Sequence, residues 1–315
     1  MDRANPYEIA GAIGRLGAWQ TAAAHNWALL PSGCGDPWLV SAVAGKDAAP
    51  SRLLFFHGWR DFHAYLITRQ DNNFWVAASP EDIRHFETVY PSGGAPLLLE
   101  FEEGFVRRDL DPSARPLAAA MLYECFGLFM RFESDPGLAL KYAPERALFA
   151  RKQGEDGKWA DCALPLPAEP PQFVEKVSLR KDILARAKDL PFDASTRIEL
   201  DFGRLPGVQT NEPRPRAIYL LGAVDAETKN RFAWRTMAVS GRQDGLLALW
   251  QSIAPQLLDH IVASGRVPGE VHVRSMRMVR FLRPLGMQLP FKLVVHAELP
   301  ALDAEVRGSL KEGRL

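Results

Sequence analysis

Cysteine is scarce in this chain. The three present, Cys34, Cys125 and Cys162, are odd in number and far apart. That excludes a disulfide framework and a Cys-x-x-Cys zinc knuckle, and a reducing cytoplasm is the expected home. Long uncharged apolar runs are missing too. The two most apolar helical stretches, 117–132 and 246–263, carry Glu124 and Arg131, and Gln251 and Asp259, so no membrane association is expected. The opening residues show no basic segment leading into an apolar run, and no signal peptide is expected. Net charge is absent: 38 Lys and Arg balance 38 Asp and Glu. The chain has no Gly-x-Gly-x-x-Gly, no Walker loop, no Gly-x-Ser-x-Gly and no His-Glu-x-x-His. Dinucleotide, nucleotide, serine-hydrolase and zinc-protease chemistry each lose their usual signature. Internal repeats, low-complexity tracts and heptads are also missing.

What is present is ordinary globular composition, 47% hydrophobic and 24% charged over 315 residues. That length fits two domains. Charge is split between the halves. Residues 194–315 hold 17 Lys and Arg against 12 Asp and Glu, and residues 1–193 hold 21 against 26. The split permits the C-terminal half to hold an anion or an acidic partner. It gives nucleic acid no particular support, because nucleic-acid domains are usually far more basic.

The N-terminal part predicts a helix over 7–16 behind an Asn5 cap and Pro6. Apolar runs at 38–44 and 53–57 predict an antiparallel strand pair. Helices are expected at 60–69 and at 80–89, the latter because Ile83, Phe86 and Val89 recur at helical spacing. A strand over 97–101 and a long, mostly buried helix ending near 133 follow. A hairpin is expected around Gly154-Glu155-Asp156-Gly157. Four prolines in 165–171 read as a stiff connector, which sets the expected domains at 1–168 and 172–315.

Beyond the connector, a strand is expected over 174–179 and a short helix over 180–188. Strands follow at 197–202, 216–224 and 232–239. A helix over 243–264, kinked by Pro255, comes next. Then come a strand at 271–273, a helix at 275–285, a strand at 291–296 and a helix at 299–310. The overall class is α/β (α+β over the whole chain), with a mixed sheet in the C-terminal domain. The order βββαβαβα resembles that of the ribonuclease H and integrase fold. The resemblance implies nucleic-acid cutting or joining by clustered carboxylates.

Asp201 is the first candidate for that chemistry, a carboxylate inside an apolar strand. Two-metal catalysis needs further acids in reach. Asp225 ends the second strand, and Glu298 and Asp303 stand at the start of the last helix. The fourth strand, where a second acid would belong, ends in Arg274 instead. The alternative for Asp201 is a cap on the Phe202-Gly203-Arg204 turn. Arg274, Arg277, Arg280 and Arg283 form a second constellation. At spacing three such a row drifts by about 60° per step, because each helical residue turns by about 100°. A solvated face, or a site for phosphate or an acidic partner, is expected. A third, His57-Gly58-Trp59-Arg60-Asp61-Phe62-His63, reads as core aromatics with polar residues capping a strand-to-helix turn, or as a metal site.

Four phrases carry a second resemblance: Leu200-Asp201-Phe202-Gly203-Arg204-Leu205-Pro206, Leu221-Gly222-Ala223-Val224-Asp225-Ala226-Glu227-Thr228, Gly269-Glu270-Val271-His272-Val273-Arg274-Ser275 and Glu298-Leu299-Pro300-Ala301-Leu302-Asp303. They are similar to an uncharacterised bacterial two-domain family, which implies no known activity. The expected function is binding, with a ribonuclease H-like domain that is catalytically inactive and takes no cofactor. The alternative is a nuclease or related phosphoryl-transfer enzyme dependent on Mg or Mn.

Overall fold

The Asn5 side chain accepts a hydrogen bond from the Tyr7 amide at 3.0 Å, and Pro6 opens the helix behind it. Helix α1 therefore runs Pro6–Gly14. The structure, a computed structural model, describes residues 5–71, 80–168, 176–209, 214–240 and 245–313. It divides into two compact units. One comprises Met1–His63, Ile83–Glu102 and Arg107–Pro171; the other comprises Ala64–Asp82, Glu103–Val106 and Gln172–Leu315.

In the first unit, α1 is followed by α2 (Trp19–Ala23), β1 (Asn26–Leu30), β2 (Trp38–Ala44), β3 (Pro50–His57) and the start of α3 (Trp59–Asp71). Then come β4 (His85–Val89), β5 (Leu97–Phe101), β6 (Arg108–Asp109), α4 (Arg115–Ser134), β7 (Ala147–Gln153) and β8 (Trp159–Pro165). The eight strands form one sheet in the order β6-β5-β4-β3-β2-β1-β7-β8. All neighbours are antiparallel except β1 and β7. Helix α4 buries Met121, Cys125, Leu128 and Phe132 at intervals of three and four, against Trp27, Val40 and Phe55 of the sheet. Each such side chain contributes roughly 1.5–3 kcal/mol of burial free energy.

The helix expected over 80–89 does not form. Pro80–Asp82 is a 3-10 turn and His85–Val89 is β4, hydrogen-bonded to β3 and β5. His85, Phe86, Glu87 and Thr88 are all buried. A strand covered on both faces loses its polar–apolar alternation, so spacing-three apolar residues imitate a helix.

The second unit holds α5 (Lys181–Lys188), β9 (Phe192–Gln209), β10 (Arg216–Asp225), β11 (Arg231–Ala238), α6 (Gly245–Gln251), α7 (Ile253–Ser264), β12 (Val267–Val273), α8 (Met276–Gly286), β13 (Lys292–Val295) and α9 (Pro300–Lys311). Its sheet runs β11-β10-β9-β12-β13. The first three strands are mutually antiparallel; β12 lies parallel to β9, and β13 parallel to β12. Residues 176–180 take no regular structure, so the strand expected there is absent; 174 and 175 lie outside the described residues. The single helix expected over 243–264 is two. Pro255 lacks the amide that would bond the Gln251 carbonyl, and its ring clashes there, so the break falls at Ser252. Gly265 ends α7 in the left-handed region at φ 73°.

Alternation along the strands decides which side chains face which layer. Ile198, Leu200 and Phe202 of β9, with Tyr219, Leu221 and Ala223 of β10, meet the large core under α5, α6, α7 and α8. The odd-numbered partners on β9, Glu199 and Asp201, face the other side. There α9 covers the sheet through Leu299, Ala301 and Leu302, which pack with Val224.

Candidate functional site

Asp201 lies midway along β9, opposite Gly222 of β10. Val273, the last residue of β12, pairs with Leu200, so Arg274 emerges beside Asp201 on the face that α9 covers. Asp303 sits in the first turn of α9. These three side chains meet. Arg274 Nε donates to Asp201 Oδ2 at 2.9 Å, and Nη2 donates to Asp303 Oδ1 at 2.5 Å. Its third nitrogen, Nη1, donates to the Ala297 carbonyl at 3.1 Å. The other Asp201 oxygen accepts from the Phe202 amide at 2.9 Å.

The electrostatics follow from this geometry. Burial raises the Asp201 pKa above its ordinary value, and the Arg274 guanidinium and the Phe202 amide draw it back. Its side chain keeps 28% of its surface, and the guanidinium at 2.9 Å favours its charged form against that burial. Burial opposes the charge on Arg274, but Asp201 and Asp303 outweigh it and raise the Arg274 pKa. One cation between two anions leaves the cluster with net charge near −1.

The remaining sequence candidates are elsewhere. Asp225 Oδ1 accepts from the amides of Glu227 and Thr228 at 3.0 and 2.9 Å, capping the β10–β11 turn. In the β9–β10 register it stands opposite Ile198, three residues from the Asp201 pair and hence about 10 Å along the strand. Glu298 is exposed, ahead of α9. The arginines do not form one patch. Arg274 is half-buried, Arg280 and Arg283 are exposed, and Arg277 is buried at 7%. The Arg277 guanidinium lies 4.2 Å from the Trp250 ring centroid and 5.7 Å from Phe281. The solvated face expected of all four residues therefore fails at Arg277. The signal was available: Arg277, Phe281 and Leu285 follow each other at spacing four, which places the arginine on the apolar stripe.

Glu199 escaped the sequence reading. It is buried at 5% and accepts from the Leu302 amide at 2.9 Å. An anion at the first turn of α9 satisfies one of its orphan amides and favours the helix dipole. Glu199 thus fixes the helix that carries Asp303.

Among the described residues no group of three or more His, Cys, Asp or Glu side chains is arranged to hold a metal ion. No described helix is long and apolar enough to cross a membrane. Of the third constellation, His57 is the exposed end of β3, Trp59 is half-buried, and Phe62 is buried at 3%.

Residues 183–309 match the model of a family described as a domain of unknown function (DUF6930). No curated protein and no solved structure matches the chain.

Proposed function

We propose that the protein acts by binding and not by catalysis, and that its second unit is a ribonuclease H-like domain with an arginine in place of a metal. The fold reading is supported by the element order, three strands followed by helices alternating with strands, and by the central position of β9 with its Asp201. The functional reading rests on one observation, the Arg274 guanidinium bonded at once to Asp201 and Asp303.

Two-metal chemistry needs those carboxylates free to bridge cations. Here one guanidinium already bonds both carboxylates and neutralises one of their two charges. A divalent ion ~4 Å from a guanidinium is repelled by roughly 8 kcal/mol at an effective dielectric of ~20, and by less where water reaches it. The partner in this reading is a protein or an anionic ligand.

The test is a thermal melt of the full chain with and without Mn2+, alongside a nuclease assay with single- and double-stranded substrates. We expect neither a shift nor cleavage, since a ligand that binds the native state must stabilise it. A Mn2+-dependent rise that disappears in Asp201→Asn, together with cleavage, would establish the phosphoryl-transfer enzyme instead.

A further inference from the structure

The first unit contains a cavity of about 360 Å³ at the end of its sheet where β3 leaves and β4 begins. Its volume lies within the roughly 300–1,000 Å³ typical of small-molecule sites. The strand register builds the floor. Trp38 of β2 stands opposite His57 of β3, and Phe86 of β4 stands between Phe55 and Glu100. The Trp38 ring lies 4.8 Å from His57 and 5.5 Å from Phe86, and Phe86 stacks on Phe55 at 4.3 Å. Leu110 and Ala114, on the approach to α4, also line it.

The polar groups at this cavity are not equally committed. Glu100 is held by Arg108, whose Nη2 and Nε lie 2.9 and 3.1 Å from Oε2. Glu102 is buried at 8% and is already engaged in an interaction. Of the three groups able to carry positive charge, His85 is buried, 2.7 Å from the Ile83 carbonyl oxygen and 3.8 Å from Glu87; the other two are placed differently. Arg84 is exposed, and among the described residues it makes no hydrogen bond or ion pair; His57 is exposed and touches Trp38. Burial raises the pKa of Asp61, and Arg84, Arg60, His85 and His57 act against it. An aromatic floor with Glu100 held by Arg108, and with the exposed Arg84 and His57 in its lining, favours a flat, negatively charged guest.

We propose that this cavity is a binding site for a small aromatic carboxylate, with its ring against Trp38 and Phe86 and its carboxylate on Arg84 and His57. The cavity belongs to the first unit and the Arg274 cluster to the second, and neither proposal depends on the other.

The test is a titration of the full chain with three probes that share a styryl group, cinnamate, its near-isostere cinnamamide, and cinnamylamine, read by calorimetry and by saturation-transfer NMR. Cinnamate should bind about tenfold more tightly than the amide, the scale of one charge-assisted contact, and the amine should bind most weakly. Arg84 is exposed, so Arg84→Gln keeps the fold, which an unchanged melting curve verifies. In that variant the preference for acid over amide should fall to about threefold or less, with amide affinity unchanged. Equal binding of acid and amide, preference for the amine, absence of saturation by any probe, or an undiminished preference in Arg84→Gln would each overturn the proposal.

Discussion

The hydroxyl of Tyr219 donates a hydrogen bond to Oδ1 of Asp82, a residue 137 positions earlier in the chain. The same oxygen accepts from Arg204 Nη1 at 3.0 Å and from the Gly104 amide at 3.4 Å. Asp82 is 1% exposed, and its Oδ2 has no hydrogen-bond partner among the described residues. Burial raises the pKa of Asp82, and it raises that of Tyr219 too. The surrounding backbone shows what the cluster does. The Ala217 amide donates to Gly104 O at 2.9 Å, the Val106 amide donates to Pro215 O at 3.1 Å, and Phe105 joins the core of the second sheet. Asp82 thus fastens two short stretches from early in the chain to β9 and β10.

Removing Asp82 should therefore cost more than removing Tyr219. Asp82→Ala takes from the Arg204 guanidinium, 13% exposed, its closer carboxylate and leaves it Glu81 at 3.4 Å and the Phe105 carbonyl at 3.1 Å, so it should cost roughly 3 kcal/mol, the lower end for broken buried pairs. Tyr219→Phe deletes one donor to a charged acceptor and should cost about 1.5–3 kcal/mol. Urea unfolding followed by tryptophan fluorescence checks the ranking; the reverse order would mean that Arg204 draws little from the pair. The pH dependence has a definite sign. The folded protein binds the Asp82 proton more tightly than the unfolded chain, whose value is near 3.8. The stability this group contributes therefore falls as pH rises from there through the raised folded value, and Asp82→Asn should lack that slope.

Asp193 should act in the opposite sense. Its carboxylate accepts from the Ser195 hydroxyl at 2.6 Å, the Thr196 hydroxyl at 2.7 Å and the Ser195 amide at 3.1 Å. These bonds, led by Ser195, hold its pKa well below the ordinary 3.8. A depressed folded pKa contributes stability above the unfolded value and loses it as pH falls through the folded one. Melting temperatures recorded downward from pH 4 should drop more steeply in the wild type than in Asp193→Asn. Parallel curves would show that the turn does not discriminate between the two protonation states.

How much of this could be read from the sequence depends on the range of the interaction. The Asn5 cap, the Gly265 stop and the Gly154–Gly157 hairpin were legible because residues within a few positions determine them. The order of elements beyond residue 196 was legible because β9 alternates between a large core and a thinner layer, β10 is a near-continuous apolar run, and the later helices repeat their apolar residues at helical spacing. β4 was not legible, since both its faces are covered and Phe86 and Val89 carry no directional information. Pro255 announced a break, but the break lies three residues earlier, at Ser252, next to Gln251, whose carbonyl lacks the missing amide. Asp201 and Asp303 were picked out as acids, and Arg274 as the wrong residue for catalysis. That the three touch follows from the β9–β12 register and the placement of α9, which no local pattern records. Asp82 offered no signal at all, because its partners Arg204 and Tyr219 are defined by tertiary packing alone.

Gly269 offers a sharp test of the β9–β12 register. A Cβ at this position would lie 2.5 Å from the Ala194 carbonyl oxygen and 2.8 Å from its carbon. Those are backbone atoms of β9, at the point where the pairing shifts between Pro268 and Glu270. They cannot rotate away as a side chain tip can. Gly269→Ala should therefore separate the strands locally and cost about 3 kcal/mol, the upper end of ordinary overpacking. Its effect should exceed that of Gly203→Ala, where an added Cβ meets nothing within 4 Å. Equal melting temperatures for the two variants would contradict the register on which the placement of Arg274 depends.

Arg274 itself is best tested by what its removal uncovers. Arg274→Ala leaves Asp201 and Asp303 partly buried with no cation between them, at 28% and 33% side-chain exposure. The cost should be about 1–3 kcal/mol, below the 3–5 of a fully buried pair because water reaches both carboxylates. Adding Asp201→Asn should then recover stability, since it relieves the repulsion that the first change exposed. The two changes are therefore coupled, and the double mutant is more stable than additivity gives. Mn2+ supplies the second reading. If the guanidinium occupies the place of a cation, Arg274→Ala should gain a Mn2+-dependent rise in melting temperature that the wild type lacks, and Asp201→Asn should abolish it. An identical response of wild type and Arg274→Ala would mean that the arginine is not what keeps a metal from these carboxylates, and the binding-only reading of this unit would lose its support.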